Sequence, residues 1–232
     1  MKKSKVVLAA FFIISLFIQI MYFNNSDVFY QYGFAIGIDS SVKQLDIGLN
    51  LIYVLLPITF IIFLLSGSVE RLKSDYGKLL IIRNYSKTKL YLKNFIKNNI
   101  IILIIVFFQT VLYSSVHTMF KSSNGNIFKS IVMYYVVLSL IITIQCILEL
   151  ITMPHIANII IFIYCYVSCF VAQITPNNTF VKILMFPCLL FGMQNGAIQG
   201  NDLYFVFLSV SIFLNTIITL LAILKFKKTD IF

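Results

Sequence analysis

Few residues of this chain could do chemistry, and they stand far apart. The two histidines, His117 and His155, do not form the H-E-x-x-H pair of a zinc protease. The two glutamates, Glu70 and Glu149, lie at the edges of apolar stretches, where we expect a solvated or interfacial carboxylate. The pattern indicates no catalytic residue. We therefore regard an intramembrane enzyme that uses Glu149 or His155 as the least favoured function.

The cysteine spacing does not indicate a metal site either. Cys165 and Cys169 are four apart and would share a helix face, but no nearby histidine or carboxylate completes a set of ligands. We interpret these two, together with Cys146 and Cys188, as small buried packing residues. The sequence thus predicts no metal site and no cofactor bound by this chain.

The composition is that of an integral membrane protein. Of the 232 residues, 60% are hydrophobic and 11% are charged, and the mean hydropathy is +0.96. A soluble surface usually needs about a quarter charged residues. The net charge of +10 lies mostly beside apolar stretches, which is typical of membrane topology and does not favour nucleic-acid binding.

Six apolar stretches fit helices that cross a bilayer, each of which needs roughly 20 apolar residues. The predicted fold class is all-α, a polytopic membrane protein with a single transmembrane domain over residues 1–232. The predicted spans are residues 6–22, 49–65, 99–116, 131–148, 156–174 and 203–224. The basic start could suggest a secretory signal, but its apolar run is too long and no small-x-small cleavage site follows.

A shorter apolar stretch lies between the fifth and sixth spans. Residues 180–192 are too few to span, and Pro187 interrupts them, so we predict a re-entrant or interfacial hairpin on the outer side. This choice agrees with the basic residues. Three lysines precede the first span, eight lysines and arginines lie between the second and third, three lysines follow the last, and four lie on the other side. Both termini are therefore predicted to be cytoplasmic.

Four uncharged polar residues stand out within the spans. Gln19, Gln109, Thr143 and Gln145 could hydrogen-bond between helices or line a translocation path. No predicted span has a carboxylate at the midplane, which argues against an ion-coupled carrier.

The chain has no phosphate-binding loop of its own. Its Gly-Lys pair, Gly77-Lys78, is followed by Leu79 and lacks the upstream glycine of G-x-x-x-x-G-K-[ST]. Energy for uphill transport would have to come from a separate subunit.

The connection between the second and third spans carries the largest group of basic residues. Ser86 can cap a helix that begins near Lys87, in which Lys89, Lys93 and Lys97 form a polar stripe. Such a helix, which leads into the third span, can lie along the membrane surface. A simpler interpretation is that the lysines only contact anionic headgroups and fix the topology.

That simpler interpretation does not explain the apolar cluster at residues 79–82, which lies between two polar segments. A short interfacial helix that buries this cluster against a partner or the bilayer explains both features.

The stretch SDYGKLLIIRNYSKTKLYLKN, residues 74–94, resembles the loop after the second span in type 2 permeases of ATP-binding-cassette exporters. The resemblance lies in an acid, a glycine, an apolar turn, an arginine, a serine and lysines in that order. It extends to six spans, a broken hairpin before the last span and a basic tail. The first outer loop is longer than in the simplest members, and the leading acid is aspartate.

The resemblance implies that this loop forms a coupling helix seated in a cleft of an ATPase subunit. The residues that would face the ATPase are Asp75, Tyr76, Gly77, Lys78, Arg83, Ser86 and Lys87. It also implies a second permease, identical or related, and two cytoplasmic ATPases that use ATP and Mg²⁺. Bacterial permeases of bacteriocin, lantibiotic and antimicrobial-peptide transporters are similar in size, which would place this chain in the cell membrane.

The implied cargo is an amphipathic peptide or a lipid-like molecule. The alternative is a non-transporting membrane sensor or immunity protein that binds a peptide or a membrane partner.

Overall fold

The computed structural model describes residues 2–24, 44–73, 75–82, 86–117, 127–174, 178–191 and 201–229. Every regular element in these ranges is helical. The helices are α1 Lys2–Asn24, α2 Gln44–Leu65, α3 Glu70–Lys73, α4 Asp75–Ile82, α5 Lys87–His117, α6 Ile127–Ile151, α7 Pro154–Ile174, α8 Thr179–Leu184, a 3₁₀ helix Phe186–Phe191, and α9 Asn201–Lys228.

Five stretches of the described chain are long and apolar enough to cross a membrane. They are Leu55–Lys73, Lys87–Leu112, Ile131–Ile151, Pro154–Val171 and Leu203–Lys228. Helix α1 contains a shorter apolar stretch, Val7–Ile18. The chain is thus a helical, multi-pass membrane protein, as its composition predicts. The number of six spans and the bounds of each span stay predictions.

Helix α5 differs from the expected surface helix. The side-chain hydroxyl of Ser86 accepts a hydrogen bond from the Lys89 N–H at 3.3 Å, so the cap at this position is confirmed. However, the helix that begins at Lys87 continues without a break into the third span. The reason is local: residues 87–117 contain neither proline nor glycine. The lysine stripe therefore extends a spanning helix, and the expectation of a separate surface helix is wrong.

Helix α6 lies at the centre of the described bundle. It packs against α9, α5, α7, α2 and the 3₁₀ helix. Its side chains are buried on nearly every side, among them Met133, Val137, Leu138, Leu140 and Ile141. Helices α5 and α9 instead expose long apolar faces, as lipid-facing helices do.

A polar network joins α6 to its two neighbours α5 and α9. The Ser139 hydroxyl donates to the Asn99 side-chain oxygen at 2.5 Å and accepts from the Asn215 side-chain nitrogen at 3.0 Å. The Thr143 hydroxyl lies 2.9 Å from the Asn215 side-chain oxygen. Each helix contributes at least one group, so the network fixes the three helices relative to one another.

The predicted broken hairpin between the fifth and sixth spans consists of two short helices. The Asn178 side chain caps α8 by accepting from the N–H groups of Phe180 and Val181. The chain turns at Met185, and the 3₁₀ helix that follows buries Pro187 and its neighbours against α6 and α7. Its re-entrant character stays a prediction.

The four cysteines are free and buried, which agrees with packing roles.

Replacing Asn215 tests the polar network. The Asn215→Ala variant loses the bonds to Ser139 and Thr143, and we expect it to lower the free energy of unfolding by about 1 kcal/mol. The control is Thr216→Ala, because the exposed Thr216 hydroxyl bonds only within its own helix, to the Phe213 carbonyl. Unfolding in mixed micelles of increasing sodium dodecyl sulfate content, followed by circular dichroism, measures both. Equal stability of the two variants would contradict the network's role.

Candidate functional site

The chain reverses between α2 and α5 through a connecting segment, residues 66–73 and 75–82. Gly67 follows the end of α2 and has a φ of +68°, a left-handed conformation that glycine adopts without steric cost. The Gly67 carbonyl then accepts from the Arg71 N–H at 3.3 Å, which starts the short helix α3. A glycine is thus needed just after the end of α2, where the connecting segment begins.

The carboxylate of Glu149 holds this turn from the end of α6. Its two oxygens accept from the Gly67 N–H at 2.9 Å and from the Val69 N–H at 3.2 Å. The side chain is only 2% exposed. The expectation of a solvated carboxylate is therefore wrong for Glu149, because backbone N–H groups of the turn replace water as its partners. Glu70 is exposed, as expected.

A lysine of α3 completes the contact with α6. The Lys73 ammonium group donates to the carbonyl oxygens of Glu149 at 3.0 Å and of Leu150 at 3.1 Å. These carbonyls belong to the last turn of α6, where no further helical N–H is available to them. The same end of α6 is thus bonded to both ends of a stretch that runs from Gly67 to Lys73.

Gln145, one turn before Glu149, links α6 to α2 and α7. Its side-chain nitrogen donates to the Ile62 carbonyl at 3.0 Å and to the Asn158 side-chain oxygen at 2.8 Å. The Asn158 amide then donates to the Ser66 hydroxyl at 2.9 Å. The turn after α2 is therefore also tied to α7.

Helix α5 reaches the same turn through Asn98. The Asn98 side-chain nitrogen donates to the Ser68 hydroxyl at 3.2 Å, and this hydroxyl lies 3.6 Å from the Cys146 sulfur. We call this set of buried and half-buried groups the Glu149 cluster. Its members are Ser66, Gly67, Ser68, Val69, Lys73, Asn98, Gln145, Cys146, Glu149 and Asn158.

Helix α4 meets α3 at an unusually close corner. A Cβ atom on Gly77 would lie 1.8 Å from the Leu72 carbonyl oxygen, so no other residue fits here without moving one of the two helices. Leu72 is buried and Ile81 packs against the core, whereas Leu79 is 56% exposed. The corner fixes the position of α4 against α3, and among the side chains of α4 that the structure describes, the apolar Leu79 projects from the protein.

The residues expected to face an ATPase fall into three groups. Gly77 and Lys78 lie in α4, as do the backbones of Asp75 and Tyr76, whose side chains lie outside the described residues. Arg83 also lies outside the described residues.

Ser86 and Lys87 instead lie at the start of α5 and make hydrogen bonds within the protein. Ser86 caps the helix, and the Lys87 ammonium group donates to the carbonyl oxygen of Thr229 at 2.9 Å. The structure therefore brings Gly77 and Lys78 together on α4 and places Ser86 and Lys87 at the start of the next helix.

The polar residues of the spans whose side chains the structure describes lie at three separate places. Gln145 belongs to the Glu149 cluster, whereas Thr143 bonds to α9 through Asn215. Gln109 is buried on α5, beside the Tyr134 hydroxyl, and its side-chain oxygen has no hydrogen-bond partner within the described chain. Gln19 lies in α1, and its side chain is outside the described residues. Bonds between helices account for Thr143 and Gln145.

Sequence reasoning missed several members of the Glu149 cluster, including Asn98 and Asn158. One usable signal was present. Gln145 and Glu149 are four apart near the end of an apolar span, so they share a helix face and are costly to leave unpaired in the membrane.

Replacing Glu149 tests the cluster. In Glu149→Gln the amide nitrogen would face one of the two N–H groups of the turn, so a buried donor loses its acceptor. We expect unfolding to become easier by about 1–3 kcal/mol and the amides of residues 67–73 to exchange hydrogen faster. Hydrogen exchange with mass spectrometry measures this protection. In the control Glu70→Gln, an exposed carboxylate is replaced and protection should fall far less than in Glu149→Gln. Unchanged exchange in Glu149→Gln would refute the assigned role.

Comparison with known proteins places the chain in a family. A family model described as "Protein of unknown function (DUF2705)" matches residues 11–232. The chain is 26% identical over 226 residues to the uncharacterized protein YybK of Bacillus subtilis (strain 168), and the match covers 90% of this chain and 88% of that protein. No solved structure matches. The chain belongs to the DUF2705 family.

Proposed function

We propose that this chain is the membrane-spanning permease subunit of an ATP-binding-cassette exporter. The observation that carries the proposal is helix α4, a short helix between two long apolar helices, whose Leu79 projects from the protein. A helix placed in this way can insert an apolar side chain into a cleft of a separate ATPase subunit.

The Glu149 cluster supports the proposal because it makes the connecting segment stiff. A force applied to α4 would be transmitted to α3 at the close contact between Gly77 and Leu72. From α3 it would reach α6 through the hydrogen bonds of Glu149 and Lys73. The hydrogen bonds of Asn98 and Asn158 would transmit the same force to α5 and α7. Movement of the ATPase would therefore shift whole spans, because the loop between them cannot absorb it.

The distribution of charge supports a cytoplasmic position for α4. The connecting segment contains Arg71, Lys73 and Lys78, and the nearby starts and ends of α5 and α9 add further lysines. Basic residues beside spans are retained on the cytoplasmic side. We infer that both termini and α4 face the cytoplasm across the bacterial cell membrane, where ATP is available.

The energy source and the partners follow from this proposal. The chain has no G-x-x-x-x-G-K-[ST] sequence, so ATP and Mg²⁺ are bound by the partner ATPase. Two permease chains, identical or related, form the path with two ATPases. An amphipathic peptide or a lipid-like molecule is the cargo that suits a bundle whose described spans carry few charges.

Co-purification tests the proposal. The tagged chain, solubilised from its native membrane, should bring along an ATPase that contains a phosphate-binding loop, as identified by mass spectrometry. Leu79→Glu places a charge in the proposed apolar contact, so we expect at least about a tenfold loss of the bound ATPase. Leu79→Met keeps the apolar surface and should retain the ATPase. Gly77→Ala should weaken binding as well, because it displaces α4 from α3.

Each variant is checked for aggregation by its elution volume in size-exclusion chromatography. An ATPase that stays bound to both Leu79→Glu and Gly77→Ala would show that α4 is not the docking element. A chain that binds a peptide or another membrane protein, with no ATPase in its complex, would favour the sensor or immunity function.

A further inference from the structure

Tyr91, near the start of α5, carries a buried hydroxyl group that has no hydrogen-bond partner within the described residues. The residue is 2% exposed, and its ring lies 5.6 Å from the ring of Phe226 between centroids. A buried tyrosine usually finds a partner for its O–H group, and leaving that group unpaired costs free energy. Packing explains the ring, but it does not explain why the residue is tyrosine and not phenylalanine.

The Tyr91 side chain lies on the face of α5 that meets the Glu149 cluster. Tyr91 and Asn98 are seven residues apart, about two helical turns, so they share one face of the helix. The Asn98 side-chain nitrogen lies 3.2 Å from the Ser68 hydroxyl and 3.7 Å from the Cys146 sulfur. Tyr91 also interacts electrostatically with Cys146 and Glu149. The carboxylate of Glu149 is the strongest acceptor among these neighbours.

Glu149 takes its present hydrogen bonds from other donors. Its oxygens accept from the N–H groups of Gly67 and Val69, and from the Gln145 side-chain nitrogen at a longer 3.4 Å. Two of these three donors belong to the turn after α2. If that turn moved away from α6, a buried charge would lose most of its partners, which is strongly unfavourable unless another donor replaces them.

We propose that Tyr91 is the second donor of a two-position switch at Glu149. In the first position, which the structure shows, the turn after α2 holds the carboxylate and the Tyr91 hydroxyl is unpaired. In the second position the connecting segment has moved away from α6, and the Tyr91 hydroxyl donates to Glu149 in place of the lost N–H groups. The new bond offsets part of the cost of the movement, so the two positions differ less in free energy.

Tyr91 stays beside α6 when the connecting segment moves, because other contacts hold α5. Asn99 of α5 bonds to Ser139 of α6, and the Lys87 ammonium group donates to carbonyl oxygens at the end of α9. None of these contacts involves the turn after α2. The switch does not rest on the identity of the partner that moves α4, since it needs only that the segment leaves α6.

A double-mutant cycle tests the switch. Tyr91→Phe removes the hydroxyl and keeps the ring that packs on Phe226. In the unmodified chain this change should leave the equilibrium constant for folding unchanged or raise it, because the hydroxyl has no partner to lose. Gly67→Val strains the left-handed turn, since a β-branched residue rarely adopts a positive φ, and so favours the second position.

The expected effect of Tyr91→Phe therefore changes sign between the two backgrounds. In the Gly67→Val chain it should lower the folding constant by at least about tenfold, the worth of one hydrogen bond to a charged group. Unfolding in mixed micelles of increasing sodium dodecyl sulfate content, followed by circular dichroism, measures all four chains.

Tyr164→Phe is the matched control. The Tyr164 hydroxyl donates to the Leu184 carbonyl of α8 at 2.7 Å, far from the connecting segment in the sequence. Its removal should lower the folding constant by the same factor in both backgrounds, because separate sites contribute additively.

Lys73→Met provides a second background should Gly67→Val fail to fold. It removes the bonds that tie the connecting segment to the last carbonyls of α6 and leaves the backbone of the turn unchanged. Tyr91→Phe should again lower the folding constant in this background and not in the unmodified chain.

Two results would overturn the proposal. One is an effect of Tyr91→Phe that is the same in the unmodified chain and in both backgrounds, which would make the hydroxyl a passive buried group. The other is a loss of stability on Tyr91→Phe in the unmodified chain, which would show that the hydroxyl already has a partner there.

Discussion

A buried carboxylate bonded to two backbone N–H groups is the constraint on which the rest of this structure depends. Glu149 can stay away from water only because Gly67 and Val69 present their N–H groups to it. That arrangement needs the left-handed turn at Gly67, and the turn sets the direction in which α3 leaves the bundle. The position of α4, and of the exposed Leu79, follows from it. An acidic residue in a helix thus determines the shape of a loop 82 residues away in the sequence.

Helix α6 can bond to helices on both sides of the described bundle because it carries two polar stripes on opposite faces. Ser139 and Thr143 are four apart and bond toward α5 and α9. Gln145 and Glu149 are also four apart and bond toward α2 and α7. The step from Thr143 to Gln145 turns about 200° around the helix, so the second stripe faces away from the first. In a membrane, where apolar packing discriminates little between neighbours, such bonds decide which helices meet.

The sequence predicted the features that depend on composition and on local chemistry. Long apolar runs predicted the helical membrane class, and Ser86 predicted a helix start. An interruption of the short apolar stretch was predicted from Pro187, and the chain turns two residues earlier, at Met185. The burial of Glu149 could not be predicted in the same way, since its partners are backbone N–H groups and every residue type except proline has one. The close corner at Gly77 was equally hidden, because it depends on how α3 and α4 pack and not on the residues beside the glycine. The surface helix was wrongly separated from the third span, since a lysine stripe looks the same on either kind of helix.

Photo-crosslinking in intact cells tests most directly whether α4 is a docking helix. A photoreactive amino acid at position 79 would lie on the exposed side of α4, and one at position 107 would replace Phe107, an exposed residue on the apolar face of α5. We expect irradiation to attach an ATP-binding-cassette ATPase to position 79 and not to position 107. Crosslinks from position 79 to lipid alone, or the same products from both positions, would contradict the proposed coupling between α4 and an ATPase.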